Sequence, residues 1–186
     1  MKLEFQAKFL QHLNQKKQQD QGFTLIELLV VIIIIGILAA IALPSLLSQV
    51  NKGKQAEARQ NIGSANRAQQ AYFLEGNTFT TDFIQLGLGI KTQTVNYRYT
   101  LKSTTPAAFV KNLALANGAT LKSYVGLNYT TNLGGTTGEV GTLALLCETN
   151  AVGTAGASAA DAIANPTTTT TGCTPATAYK DLGSGK

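Results

Sequence analysis

The sequence predicts an α+β chain in which one long N-terminal helix packs against a small antiparallel sheet of three or four strands. Three observations carry the prediction. Residues Phe23 to Leu43 form a predominantly apolar run that carries one charge, Glu27. The next stretch, Ser45 to Glu75, sets Leu47, Val50, Ala58, Ile62, Ala65 and Tyr72 at spacings of three, four and seven with one larger gap, the period of a helix with one covered face. Downstream, Val95, Tyr97, Tyr99 and Leu101 alternate with Asn96, Arg98, Thr100 and Lys102, the period of a half-buried strand.

The apolar half comes first. A helix over Phe23 to Leu43 rises by roughly 32 Å, enough to cross the hydrocarbon core of a bilayer. Glu27 is the anomaly there, because a carboxylate in that layer costs on the order of 2.5–3.5 kcal/mol or more unless something pairs with it. Four lysines, Lys2, Lys8, Lys16 and Lys17, precede the run. Positive flanks stay on the cytoplasmic side, so residues 1–22 form a cytoplasmic leader and the C-terminus is exported. An ordinary secretory signal ending near Ala40-Ile41-Ala42 is the rival, but its apolar run is normally shorter and it has no use for Glu27.

Gly36 and Pro44 interrupt the apolar run, and proline removes a backbone donor, so a bend or local loosening is expected near Pro44. Gly53 and Gly63 lie deeper in the amphipathic half, and Gly76-Asn77 is a fitting helix stop. The aromatics of Tyr72 to Phe79 then pin the exit of the helix by packing. After the strand at Val95 to Lys102, Ala107 to Ala116 is a second candidate strand, followed by the hairpin signal Asn117-Gly118. Leu121 to Tyr129 and Thr142 to Cys147 are further strand-like runs, separated by the glycine-rich Gly134 to Gly138. The tail from Ala151 to Lys186 is rich in Ala and Gly with threonines at Thr167 to Thr171, and is expected to be a surface loop. Cys147 and Cys173 bracket most of it and are the only cysteines; in an exported domain a disulfide is their expected state. The organisation that follows is a leader over residues 1–22, a membrane and assembly helix over 23–43, and a globular domain over 44–186.

Composition excludes several functions. The chain has 15 basic and 10 acidic residues; losing the leader's four lysines with Glu4 and Asp20 leaves 11 against 8, too small an excess for a nucleic-acid surface. The single histidine, His12, lies in the leader, and no cysteine or carboxylate cluster has metal spacing, so neither a metal nor any other cofactor is implied. Glu139, Glu148, Asp161 and Asp181 have no nucleophile beside them and read as solvated surface charges. The glycine runs lack a phosphate-loop ending. Asn128-Tyr129-Thr130 matches a glycosylation triplet inside a predicted strand, and the threonine run is a weak candidate for O-linked sugar.

The motif Gly22-Phe23-Thr24-Leu25-Ile26-Glu27, between a polar leader and an apolar run, resembles the N-terminal signature of the type IV pilin and pseudopilin family. The leader is longer than in many such proteins, and Gln21 stands where a basic residue is common. The resemblance implies cleavage between Gly22 and Phe23 by a dedicated prepilin peptidase, which also methylates the new N-terminal Phe23. It implies a precursor in the inner membrane, contact with membrane lipid and a pilus assembly machinery, and polymerisation into an extracellular homo-oligomeric fibre. In that fibre Glu27 faces the terminal amine of a neighbouring subunit, Gly36 and Pro44 bracket a stretch that can unwind, and a Cys147–Cys173 disulfide pins a surface loop. Tyr72 to Phe79 and Leu121 to Gly126 resemble the cyanobacterial branch of pilin-like proteins. The implied function is a non-enzymatic pilus subunit in motility, adhesion or DNA uptake. Alternatives are a minor pilin, a secretion-system pseudopilin, or a secreted or membrane-anchored binding domain.

Overall fold

The computed structural model describes residues 22–132, 140–163, 172–173 and 177–184. The chain divides into two compact units, one ending at Leu47 and one beginning at Ser48.

Helix α1 covers Leu25–Gly76. It is helical through both Gly36 and Pro44, so the loosening expected at Pro44 does not break it. A proline forfeits one backbone bond, and the apolar, helix-forming turns on either side sustain the rest. The helix stops where the sequence says it should. Asn77 takes a left-handed conformation with φ of 53° and donates its N–H to the Phe73 carbonyl at 2.8 Å, closing the last turn. In the first unit the apolar side chains from Phe23 to Leu47 are exposed.

In the second unit five strands form one antiparallel meander: β1 (Tyr97–Lys102), β2 (Phe109–Ala116), β3 (Lys122–Asn132), β4 (Val140–Val152) and β5 (Tyr179–Ser184), in that spatial order. The count exceeds the three or four strands predicted. The added strand is β5, and a second helix, α2 (Gly153–Ala162), also forms where a surface loop was expected. Asn117-Gly118 does lie between paired strands, within a five-residue connection rather than a two-residue turn.

The sheet is buried on both faces, which is why β2 has almost no exposed residue. One face meets α1 through Ala58, Ile62, Ala65, Asn66, Gln69 and Phe73. The predicted stripe was right at its centre and wrong at its ends. Leu47 and Val50 are exposed, and Phe73 rather than Tyr72 enters the core. The stripe continues through polar positions, Asn66 and Gln69, that a count of apolar residues skips. Tyr97, Tyr99 and Tyr124 pack on this face beside Ala114 and Leu121, and Phe73 stacks on Phe79 with ring centroids 4.8 Å apart. Gly126 marks the closest approach of helix and sheet, since a Cβ there would collide with Asn66 and come within 2.8 Å of Ile62 Cγ2.

The other face carries Leu113, Leu115, Val125, Leu127 and Leu145, covered by Ala160, Ile163, Cys173 and Tyr179. The tail is therefore part of the core. Its alanines and glycines permit this, because small side chains let α2 lie close: a Cβ at Gly156 would come within 3.1 Å of the Thr149 hydroxyl, and one at Gly153 within 3.0 Å of the Ala119 backbone. The cysteine pair closes as anticipated, with Cys147 on β4 joined to Cys173 and their Cα atoms 5.7 Å apart. Gly134 to Gly138, Glu139 and Thr167 to Thr171 lie outside the described residues.

Candidate functional site

The segment singled out by sequence begins just before α1. Gly22, Phe23 and Thr24 precede the first helical turn, and Phe23 is 87% exposed, so the Gly22–Phe23 bond is open to solvent. Thr24 and Glu27 then bond reciprocally. Glu27 Oε2 accepts from the Thr24 N–H and hydroxyl, both at 2.8 Å, and the Glu27 N–H donates to Thr24 Oγ1 at 3.3 Å. This is a capping box, in which two backbone donors that a helix start leaves free find side-chain acceptors. It also places a negative charge at the positive end of the helix dipole. Within a single chain, Glu27 thus has a partner already. The signal was present as Thr24-x-x-Glu27, and Thr24 is the functional candidate the sequence reading passed over.

The remaining N-terminal candidates are spread along the same helix rather than gathered. Gly36 has nothing within 4 Å of where a Cβ would stand, and Pro44 lies two turns further on. The helix is long and apolar enough to cross a membrane. Among the described residues no group of three His, Cys, Asp or Glu side chains could hold a metal ion.

A second polar constellation lies on the α1 face of the sheet. Glu148 is not a solvated surface charge: it is 7% exposed and accepts from Lys122 Nζ at 2.6 Å, Tyr124 OH at 3.0 Å and Arg59 Nη2 at 3.2 Å. The Arg59 guanidinium also stands over the Tyr124 ring, 5.4 Å from its centroid. Burial alone would push the Glu148 carboxyl up; the hydrogen bonds from Lys122 and Tyr124 and the charges of Lys122 and Arg59 outweigh it and hold the group below the ordinary carboxylate range. Burial likewise raises the Tyr124 phenol to about 12. Deeper on the same face, Asn112 Nδ2 donates to Asn66 Oδ1 at 2.7 Å and to Asn128 Oδ1 at 2.9 Å. Asn128 Nδ2 returns to the Asn66 carbonyl at 2.9 Å, and Asn66 Nδ2 reaches the Leu145 carbonyl at 3.0 Å. Asn128 is fully buried by these bonds, so the glycosylation triplet is closed to modification in the folded chain. Asp161 and Asp181 are surface groups, Asp161 paired with Lys102.

Comparison with known proteins adds two family matches. Residues 55–174, well over half of the chain, match the family described as Type IV pilin-like G and H, and residues 17–43 match the prokaryotic N-terminal methylation motif. Among similar proteins, the type IV major pilin PilA of Myxococcus xanthus is 41% identical over 69 residues, 37% of this chain and 31% of that protein. The type IV wide pilus major component PilA4 of Thermus thermophilus is 36% identical over 84 residues, 45% of this chain and 64% of that protein. The type II secretion system core protein G of Aeromonas hydrophila is 38% identical over 66 residues, 36% of this chain and 46% of that protein. The chain thus spans less than two thirds of the length of each of these relatives.

Proposed function

The chain belongs to the type IV pilin-like family, and from that premise we propose that it is a structural subunit that polymerises into an extracellular type IV pilus. The observation that carries the reading is one of coincidence. The methylation motif falls on residues 17–43, where an exposed, capped helix start leads into an apolar segment without cover of its own, and that segment is joined to a folded head. A lipid bilayer can cover such a surface before assembly, and copies of the same helix can cover it afterwards.

The mechanism is assembly, not catalysis. The precursor sits in the inner membrane with residues 1–22 in the cytoplasm. A prepilin peptidase cuts between Gly22 and Phe23 and methylates Phe23, and an assembly machinery moves the apolar helix from lipid to fibre. Glu27 exchanges its bonds with Thr24 for the terminal amine of a neighbouring subunit, and the two charges offset each other in a water-poor bundle. Glu27→Ala is expected to leave cleavage intact and abolish surface fibres; normal amounts of sheared pili from that variant would overturn the role. Gly36 and Pro44 supply the positions at which the helix can loosen as subunits pack.

The deciding experiment is the N-terminal sequence and mass of protein sheared from the cell surface. A chain beginning at Phe23 and heavier by one methyl group is the expected result. A chain beginning near Leu43, or an uncut chain confined to the membrane, would mean a secreted or anchored domain instead. The likeness to a type II secretion core protein supports a second reading, a pseudopilin, for which processed protein would stay in the envelope and be missing from sheared material.

A further inference from the structure

We infer that the end of the folded head at which α1 enters is a contact surface for anionic phospholipid headgroups. The inference rests on the reading that Phe23 to Leu43 lies in a membrane before assembly. Four segments of the second unit meet at this end. Asn51 of α1 donates to Thr120 Oγ1 in the β2–β3 connection at 3.2 Å. From that connection Asn117 bonds the turn before β1, its N–H to the Asn96 carbonyl at 2.9 Å and its side chain to the Thr94 carbonyl at 3.1 Å. The Gly153 N–H bonds the Leu121 carbonyl at 2.8 Å, and Lys122 pairs with Val152, bringing in the end of β4.

The chemistry of that end is one-sided. Residues 48–54, 94–96, 117–122 and 150–154 contain no aspartate or glutamate; Lys122 among them is held by Glu148 at 2.6 Å, which leaves Lys52 and Lys54 as the charges this end presents. Val50, Val95 and Val152 stand out from it at 46%, 93% and 44% exposure, Val95 at the tip of its turn. Exposed valines beside Lys52 and Lys54 suit the headgroup layer, where apolar tips reach the acyl boundary and ammonium groups meet phosphate. The covalent path argues for the occupant: Ser48 lies only five residues beyond Leu43, so this end of the head is tethered next to whatever covers the apolar segment. Each lysine held within a Debye length of an anionic leaflet adds about a five-fold preference over a neutral one.

The test uses the full chain reconstituted in vesicles, with the native disulfide oxidised and a fluorophore on Val95→Cys. The reference is the same label on Thr104→Cys, beyond the far end of β1. Alkaline extraction first establishes that the chain is retained in the bilayer; a chain that washes off fails the membrane reading and this proposal with it. For retained chains, lipid carrying a nitroxide on its headgroup should quench the label at 95 several-fold more than that at 104 in vesicles rich in phosphatidylglycerol. The excess should fall to near parity in pure phosphatidylcholine, in high salt, and in the variant combining Lys52→Gln with Lys54→Gln. Equal quenching at both positions in the anionic vesicles, or an excess at 95 indifferent to lipid charge and to the two lysines, would overturn it.

Discussion

The two faces of the sheet are held by different chemistry. The α1 face is laced with polar groups: four amide side chains and a carboxylate flanked by two cations, inside a layer of tyrosines and small residues. The opposite face is nearly all aliphatic and aromatic, and its cover is a tail of low complexity tied down by a disulfide. Hydrogen bonds are directional and specify position; apolar contact is not, and supplies adhesion without address. The helix face is thus fixed in register by its own side chains. The tail face relies on a covalent link to keep a poorly specified segment in place.

That contrast is broken most severely at the link. Replacing Cys147 and Cys173 together by alanine frees a closure of 26 residues, which the chain-entropy account values at about 3.5 kcal/mol. Because the tail also buries Ile163 and Tyr179, the variant should expose apolar sheet surface as it loses stability. Denaturant unfolding with and without reductant measures the loss, and dye binding reports the exposed face. An equal midpoint for oxidised and reduced protein would mean that the tail is held by packing alone.

The helix face should yield next at Asn112. Asn112→Ala leaves Asn66 Oδ1 and Asn128 Oδ1 without their donor in a buried layer, at about 1–3 kcal/mol for each group left unsatisfied. The signature separates it from the cysteine variant: amide exchange should rise along α1 near Asn66 and along β3, while α2 keeps its protection. Uniform loss over both faces would show that the two layers unfold as one and that the contrast has no energetic content.

These same residues mark where sequence reading stops. The centre of α1, its stop at Asn77, β1 and the run of following strands were legible because periodicity and turn chemistry are local signals. The cover of the second face was not. Ala157, Ala160 and Gly156 give no hydropathy period, and β5, Tyr179–Ser184, lacks the apolar–polar alternation of β1, so nothing local distinguishes this tail from a linker. Glu148 reads as a solvated surface charge and Asn66, Gln69, Asn112 and Asn128 carry no burial signal, since a buried polar group is identifiable only once its distant partners are known. Thr24 failed differently. Its capping pattern, Thr24-x-x-Glu27, is a local signal that the sequence alone carries.

Glu148 offers a milder and pH-dependent test of the polar face. Its folded carboxyl titrates below the ordinary range, so its contribution is present above the unfolded value near 4.5 and is lost as pH falls through the lower folded value. Glu148→Gln should cost about 1.5–3 kcal/mol at neutral pH, as expected for hydrogen bonds to a charged group. The gap between wild type and variant should close in acid, followed as urea midpoints from pH 7 to pH 3. A gap constant across that range would assign the loss to packing instead of charge.

The smallest effect belongs to Lys102 and Asp161, the ion pair that joins the end of β1 to α2. Both side chains are about half exposed, 52% and 43%, so water screens the attraction and ordering two side chains absorbs much of what remains. Asp161→Asn should change stability by less than about 1 kcal/mol and lose even that in high salt. Lys111 Nζ also bonds the Ile163 carbonyl at 2.5 Å, holding the end of α2 from the same side of the sheet. If Asp161→Asn nevertheless released the tail, seen as faster exchange in α2 and β5, a surface charge would be anchoring what apolar burial and the disulfide do not. The two faces would then both depend on directed polar contacts, differing only in how deeply those contacts are buried.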